Sequence, residues 1–457
     1  MTRFATTPAF SRRDALRSAA CGFGYLAMAD MAHAAASSAP VAGDVSPLAA
    51  RAGHFAARAK RIIYIFMAGG VSQVDSFDRK PLLDARDGEM REFHDARVLA
   101  KTRSVAKHRV MKSPWSFRQY GQCGRWVSDL FPETGRHVDD LCFLHGMHTE
   151  GVAHGPATLF LHTGTTTFVR PSMGNGGPRN YGSAFLPPVY QGTAVGRAGV
   201  PAAQSTIKNL TSDRRAPAEQ RAQFDLIRAL NAEQLSRRPA DGELEAVIDS
   251  FELAYRMQHS APDVLDLSRE TAETLAMYGI GQSETDDFGR KCLLARRLAE
   301  SGVRYVQVNY TDNSNNPAWD QHSNLPKHAE HARAVDRPVA ALLADLKRRG
   351  LLEDTLVWWG SEFGRNPYAQ NGGTGRDHNP DGFTVWLAGG GVKPGMAHGA
   401  TDEWGHAAVE NKVHMHDLHA TILRLLGLDH EKLTYRHAGR NFRLTDVHGT
   451  VMKDILA

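Results

Sequence analysis

Short apolar runs that stop abruptly at glycine, carboxylate or histidine limit what this chain can fold into. Residues 61–67 (Arg-Ile-Ile-Tyr-Ile-Phe-Met) are apolar throughout after Arg61 and open into a glycine pair followed by Asp75. Residues 356–359 run into Gly-Ser-Glu-Phe-Gly-Arg at 360–365 and, soon after, Gly-Arg-Asp-His-Asn-Pro at 375–380. Uninterrupted runs of this length mark strands covered on both faces. Further strands are expected over 139–145, 303–309 and 383–388, and helices over 156–162, 287–300, 339–346 and 418–426. The stripe Leu244, Val247, Ile248, Phe251, Ala254 and Tyr255 adds an amphipathic core helix. Gly164, Gly350 and Gly427 stop three of these helices, and Asp417 is expected to cap the last. Strand and helix alternate, so the expected fold is α/β, three layers with a mainly parallel central sheet and helices on both faces.

The N-terminus follows other rules. Residues 11–17 read Ser-Arg-Arg-Asp-Ala-Leu-Arg, a twin-arginine pattern, followed by a weakly apolar run over 18–31 and small-residue cleavage options near 34. That run is too short and too polar to form a stable membrane span. Residues 1–34 are therefore expected to be a twin-arginine signal peptide and 35–58, rich in Ala, Ser, Pro and Gly, a flexible tether. Residues 59–457 are expected to form a single domain with a loop-rich and helical insertion at about 165–285. The expected location is the periplasm or outside the cell.

With 42% hydrophobic and 23% charged residues, the chain has an ordinary globular composition. Its formal net charge is +4, and without residues 1–34, which hold four arginines and two aspartates, it is +2. A charge so near zero, with no basic run interleaved with aromatics, argues against nucleic acid as a partner. Beyond the signal, Cys123, Cys142 and Cys292 remain. An odd count allows at most one disulfide, with Cys123 and Cys142 the only nearby pair, and there is no Cys-x-x-Cys metal knuckle.

The chemistry gathers behind the strands, where open α/β sheets place their ligands. The strand ends supply Asp75, Asp320 with His322, and Glu362, and the loop after the last of these adds His378. Carboxylates mixed with imidazoles suit one or two divalent ions, zinc or manganese ahead of calcium. A cation also resolves the repulsion between neighbouring carboxylates. His145, His148 and His154 crowd the end of the 139–145 strand as candidate ligands, anion donors or proton carriers. Arg365 and Arg376 have the planar guanidinium that clamps an anion. Plainer readings stay open: Glu362 and Arg365 as an ion pair closing a turn, Asp75 as a turn cap. No Gly-x-Ser-x-Gly elbow seats a serine nucleophile.

Several motifs in one order resemble a known family: Arg-Pro-Ser-Met-Gly at 170–174, Phe-Leu-Pro-Pro-Val-Tyr-Gln-Gly at 185–192, Cys-Leu-Leu-Ala-Arg-Arg at 292–297 and Trp-Asp-Gln-His at 319–322. Gly-Ser-Glu-Phe-Gly-Arg at 360–365, Gly-Arg-Asp-His-Asn-Pro at 375–380 and His-Asp-Leu-His-Ala-Thr-Ile-Leu at 416–423 complete the set. Over nearly the whole mature chain, the sequence resembles the exported, sulfatase-like proteins labelled only as a domain of unknown function, within the alkaline phosphatase and sulfatase superfamily. The resemblance implies that fold. It also implies that Asp75, Asp320, His322, Glu362 and His378 are metal ligands.

Two departures from the superfamily pattern shape the expected chemistry. Glu362-Phe363 stands where Asp-His is usual, and His154 heads the helix where sulfatases carry Cys or Ser. Three routes follow: attack by His154, attack by metal-bound hydroxide with His154 or His148 carrying the proton, or no hydrolysis. The expected function is an exported metal-dependent hydrolase of a phosphate, sulfate or related ester, using metal-bound hydroxide. Its substrate would be an anionic ester or glycan-type small molecule, met by Arg365, Arg376 and His145. The alternative is a binding or scaffold protein of the cell envelope that keeps the fold without turnover.

Overall fold

Alternate residues of the first strand enter two different cores. In the computed structural model, β1 (Arg61–Met67) sends Ile63, Ile65 and Met67 to one face of the central sheet and Ile62, Tyr64 and Phe66 to the other. The structure describes residues 52–94, 105–164, 182–186, 190–196, 200–207, 216–237, 261–310, 317–437 and 439–457. The expected signal peptide, the tether up to residue 51, the Arg170 to Gly174 motif and the Leu244 to Tyr255 stripe lie outside these.

In chain order the framework continues with β2 (Leu141–His148), α1 (His154–Thr163), α2 (Asp286–Glu300), β3 (Tyr305–Tyr310), α3 (His328–Arg348) and β4 (Thr355–Gly360). The two-residue strands β5 (Gly364–Arg365) and β6 (His378–Asn379) follow, then β7 (Phe383–Ala388), β8 (Met396–His398), β9 (Val413–His414) and α4 (Met415–Leu425). The sheet has seven strands in the order β8-β2-β7-β4-β1-β3, with β9 also paired to β2. β1 runs parallel to β3 and β4, and β8 and β9 run parallel to β2. β7 alone is antiparallel to its neighbours. No crossover helix lies between β4 and β7, so the chain returns from the end at which it left.

Helices cover both faces, giving three layers. Phe288, Cys292 and Leu293 of α2 and Val335, Val339, Leu342 and Leu346 of α3 pack on the Ile63, Ile65 and Met67 side. Leu161 of α1 and Leu418, Ile422 and Leu425 of α4 pack on the Ile62, Tyr64 and Phe66 side. Each such side chain removed from water stabilises the fold by about 1.5–3 kcal/mol. No described helix is long and apolar enough to cross a membrane.

Several expectations shift. The strand expected at 139–145 runs to His148, so His145 and His148 sit within β2 rather than on a loop behind it. α1 begins at His154, because Pro156 in a first turn has no N–H to lose; it ends at Gly164 with φ +69. The cap of α4 is His414, whose Nδ1 accepts the His416 N–H, while Asp417 reaches back from the first turn to the His414 N–H. Cys123 and Cys142 are free thiols, since Cys142 lies in the core on the α4 side and Cys123 packs against the opposite one. Residues 55–58 of the expected tether bond along the end of α4, from Phe55 N–H to Gly427 O and Arg58 N–H to Leu425 O.

Candidate metal centre

The parallel strands deliver their loops to one end of the sheet. β1 exits through Gly69 and Gly70, β3 leads towards Trp319 and Asp320, and β4 exits through Ser361 and Glu362. These loops pack at backbone contact. A Cβ on Gly69 (φ +115) would lie 2.6 Å from the Asp320 nitrogen, and one on Gly70 (φ +80) would lie 2.9 Å from the Phe363 ring. Only glycine allows that approach.

Three imidazoles converge on one carboxylate oxygen. The Nε2 atoms of His322, His378 and His154 lie 2.8, 3.1 and 3.2 Å from Asp320 Oδ1. The four candidate ligand atoms all fall within 4.8 Å of one another. Each ring is held from behind at Nδ1: His154 by Glu362 Oε1 at 2.6 Å, His378 by the Val152 carbonyl at 2.8 Å and His322 by Gln370 Oε1 at 2.5 Å. A carboxylate or carbonyl oxygen can only accept, so these partners place the proton on Nδ1 and leave the Nε2 lone pairs aimed at the centre. His154 Nε2 is buried, lies off the line of a hydrogen bond to Asp320 and has no hydrogen-bond partner.

Lone pairs gathered around a carboxylate repel one another unless a cation lies between them. Three imidazole nitrogens and one carboxylate oxygen, with the rings anchored at Nδ1, form a donor set suited to zinc or a similar divalent ion. The residues present therefore fit one such ion. Asp320 is held ionised: burial pushes its carboxyl up, but the three histidines and Arg365 outweigh this and bring it well below the usual range. Burial likewise lowers His154, yet the Asp320 and Glu362 carboxylates more than offset it, up to about 8, so His154 holds a proton when no cation is present. Burial, helped by Arg365 and His154, takes His378 down to about 3, which keeps that ring neutral.

The cluster brings together Asp320, His322 and His378 of the five expected ligands, and adds His154. Asp75 stands outside it, in a fully buried bidentate pair with Arg376. Glu362 also stands outside, its oxygens taken by the Gly69 N–H and by His154. Neither arginine is free to clamp a substrate. Arg365 donates to the Gly69, Gly70, Trp319 and Arg376 carbonyls and to Asp320 Oδ1 at 2.7 Å. Arg376 spends its remaining capacity on the Asn366, Met111 and Lys112 carbonyls. Both brace the loops because their guanidinium forks match several carbonyls at once. His145 Nδ1 pairs with Thr384 Oγ1 at 3.1 Å, and the His148 ring lies 5.0 Å from that of His414; neither joins the cluster.

The sequence offered His154 as a ligand, an anion donor or a proton carrier without choosing, and the structure puts its Nε2 among the four candidate ligand atoms. Nothing local marks Val152 or Gln370 as ring anchors. Phe363, which stands where the superfamily pattern has a further imidazole, packs its ring 4.4 Å from His378 and 5.0 Å from His154.

No curated protein matches the chain in sequence. Among solved structures, it is similar to the lipoteichoic acid synthase LtaP from Listeria monocytogenes, 11% identical over 82% of this chain and 74% of that one, with a TM-score of 0.34. It is also similar to the phosphonate monoester hydrolase SpPMH from Silicibacter pomeroyi, 12% identical over 65% and 68% of the two chains, with a TM-score of 0.26. A third is Ps i-CgsB in complex with k-i-k-neocarrahexaose, 13% identical over 81% and 72%, with a TM-score of 0.28. A family model matches residues 59–176 and 174–456, and the chain belongs to that family, described as "Protein of unknown function (DUF1501)".

Proposed function

We propose that this protein is an exported metal-dependent hydrolase of a phosphate, sulfate or related ester, with a one-ion centre built from His154, Asp320, His322 and His378. The observation that carries this reading is the convergence of three Nδ1-anchored imidazoles on Asp320 Oδ1, with the buried His154 Nε2 left without a partner. When bound, a divalent ion would supply Lewis acidity towards an ester oxygen and acidify a water molecule.

The chain's own residues do the rest. Arg365 holds Asp320 charged and in place; Val152, Gln370 and Glu362 fix the rings; and Phe363 packs against His154 and His378. His322, at 27% side-chain exposure against 11% for His154 and 7% for His378, marks the open side from which a substrate approaches. His154 has Nδ1 bound to Glu362 and Nε2 turned to the centre, so water is the nucleophile in this reading and no side chain is. Export rests on the twin-arginine pattern at residues 11–17; replacing both arginines by lysine and fractionating cells tests it.

One observation favours a second reading, a binding or scaffold protein of the envelope that holds the ion without turnover. Among the described residues, Arg365 and Arg376, the arginines that brace the loops around the centre, are fully engaged internally. A panel of sulfate, phosphate monoester and phosphate diester substrates separates the two. Turnover that His322→Ala abolishes supports the hydrolase; saturable binding with no turnover supports the scaffold.

A further inference from the structure

Glu362 has a carboxylate at the centre and no place among the ligand atoms. It is 1% exposed. Both of its oxygens accept the Gly69 N–H, at 3.0 and 3.1 Å, and Oε1 also accepts the His154 Nδ1–H at 2.6 Å. The two nitrogens of an imidazole point in different directions, so a carboxylate that holds Nδ1 lies across the ring from whatever Nε2 faces. Nε2 faces Asp320, at 3.2 Å.

We infer that Glu362 is a positioning residue and not a ligand: it fixes the Nδ1–H tautomer of His154 and aims Nε2 at the ion. The inference rests on reading the four-residue cluster as a cation site. A second contact reinforces it. The Gly69 N–H that anchors Glu362 belongs to backbone packed directly on the Asp320 nitrogen, since any Cβ at Gly69 would come within 2.6 Å of it. Glu362 therefore ties the loop after β1, which seats Asp320, to the head of α1, which carries His154. A charge-assisted hydrogen bond of this kind also raises the basicity of the ring that it holds. The Phe363 ring, 5.0 Å from His154, limits the swing of the imidazole from another side.

Cobalt(II) titrated into the chelated protein tests this, because its visible spectrum reports the ligand set separately from affinity. Wild type is expected to take one ion per chain. Glu362→Gln is expected to give a spectrum of the same shape with affinity lower by about 10- to 100-fold, whereas Asp320→Ala, which removes a ligand, is expected to give none. A Glu362→Gln spectrum of changed shape makes Glu362 a ligand and overturns the inference, as does an unchanged affinity. If wild type binds no cobalt, the cation site itself fails, which is a separate result. Should Glu362→Gln not fold, wild type still decides. Proton NMR of its cobalt form is expected to show shifted, exchangeable imidazole N–H signals from His154, His322 and His378, with that of His154 slow to exchange beside its buried acceptor. Absence of the His154 signal also overturns the inference.

Discussion

Arg376 grips Asp75 through two hydrogen bonds, Nε to Oδ2 at 2.7 Å and Nη2 to Oδ1 at 3.0 Å, and neither side chain reaches solvent. Removing one partner of such a pair leaves a buried charge and costs about 3–5 kcal/mol. Arg376→Met should lower the urea midpoint accordingly. Asp75→Asn, by contrast, should leave the ion content of the folded protein unchanged. If Asp75→Asn strips the ion as Asp320→Ala does, Asp75 is a ligand after all.

Elemental analysis of purified protein should find about one divalent ion per chain, by the ligand count of a four-donor centre. Asp320→Ala should lose it. An ion that binds only the folded chain stabilises by about 4 kcal/mol at a thousandfold excess over its Kd. Chelation should therefore lower the Tm of wild type and leave that of Asp320→Ala where it was. A wild-type Tm that chelator does not move, with no ion found, excludes the centre.

Arg365→Lys separates a brace from a clamp. Lysine cannot reproduce a planar fork that reaches four carbonyls and Asp320 at once. The substitution should cost about 3–5 kcal/mol, comparable to breaking a buried ion pair, as read by denaturant titration. A raised KM at full stability is the signature of a substrate clamp and contradicts the geometry.

Acid should weaken the ion network between α2 and α3. Arg296 Nε lies 3.0 Å from Asp345 Oδ2, and Arg349 Nε lies 2.9 Å from Asp345 Oδ1. Burial pushes the Asp345 carboxyl up, but Arg349 and Arg296 outweigh it, so the folded pKa lies below the ordinary 3.8. A depressed carboxyl contributes stability that is present above its unfolded value and is lost as pH falls through the folded one. Between pH 7 and pH 5 this contribution should be flat, and below about 3.8 it should decline. In Asp345→Asn the decline should be shallower when unfolding free energy is followed against pH; an equal slope in both proteins removes Asp345 as its source.

The strands and helices were legible because burial leaves a local mark. Ile62 to Met67 are apolar because both faces of β1 are covered, and α4 carries Leu418, Ile422 and Leu425 at a helical spacing because one side meets the sheet. The direction of β7 was less legible, since it depends on the missing crossover helix between residues 360 and 383 and not on the run Phe383 to Ala388 itself. The Asp417 cap misled because a side chain three residues into a helix can reach back as readily as one at its start.

By itself, the sequence determined that carboxylates, histidines and arginines would collect where these strands end, because apolar runs that stop at glycine and charge can only leave the sheet there. Which charges meet was decided by tertiary structure. Gly69 and Gly70, lacking Cβ atoms, let Arg365 reach their carbonyls and Asp320 approach their backbone, and Arg376 closes on Asp75 from a loop some three hundred residues away. Once the guanidinium takes Asp75, Glu362, anchored by the Gly69 N–H, joins the Val152 carbonyl and Gln370 in aiming three imidazoles at Asp320. Partner choice of this kind depends on distances across the fold, which no local pattern of residues encodes.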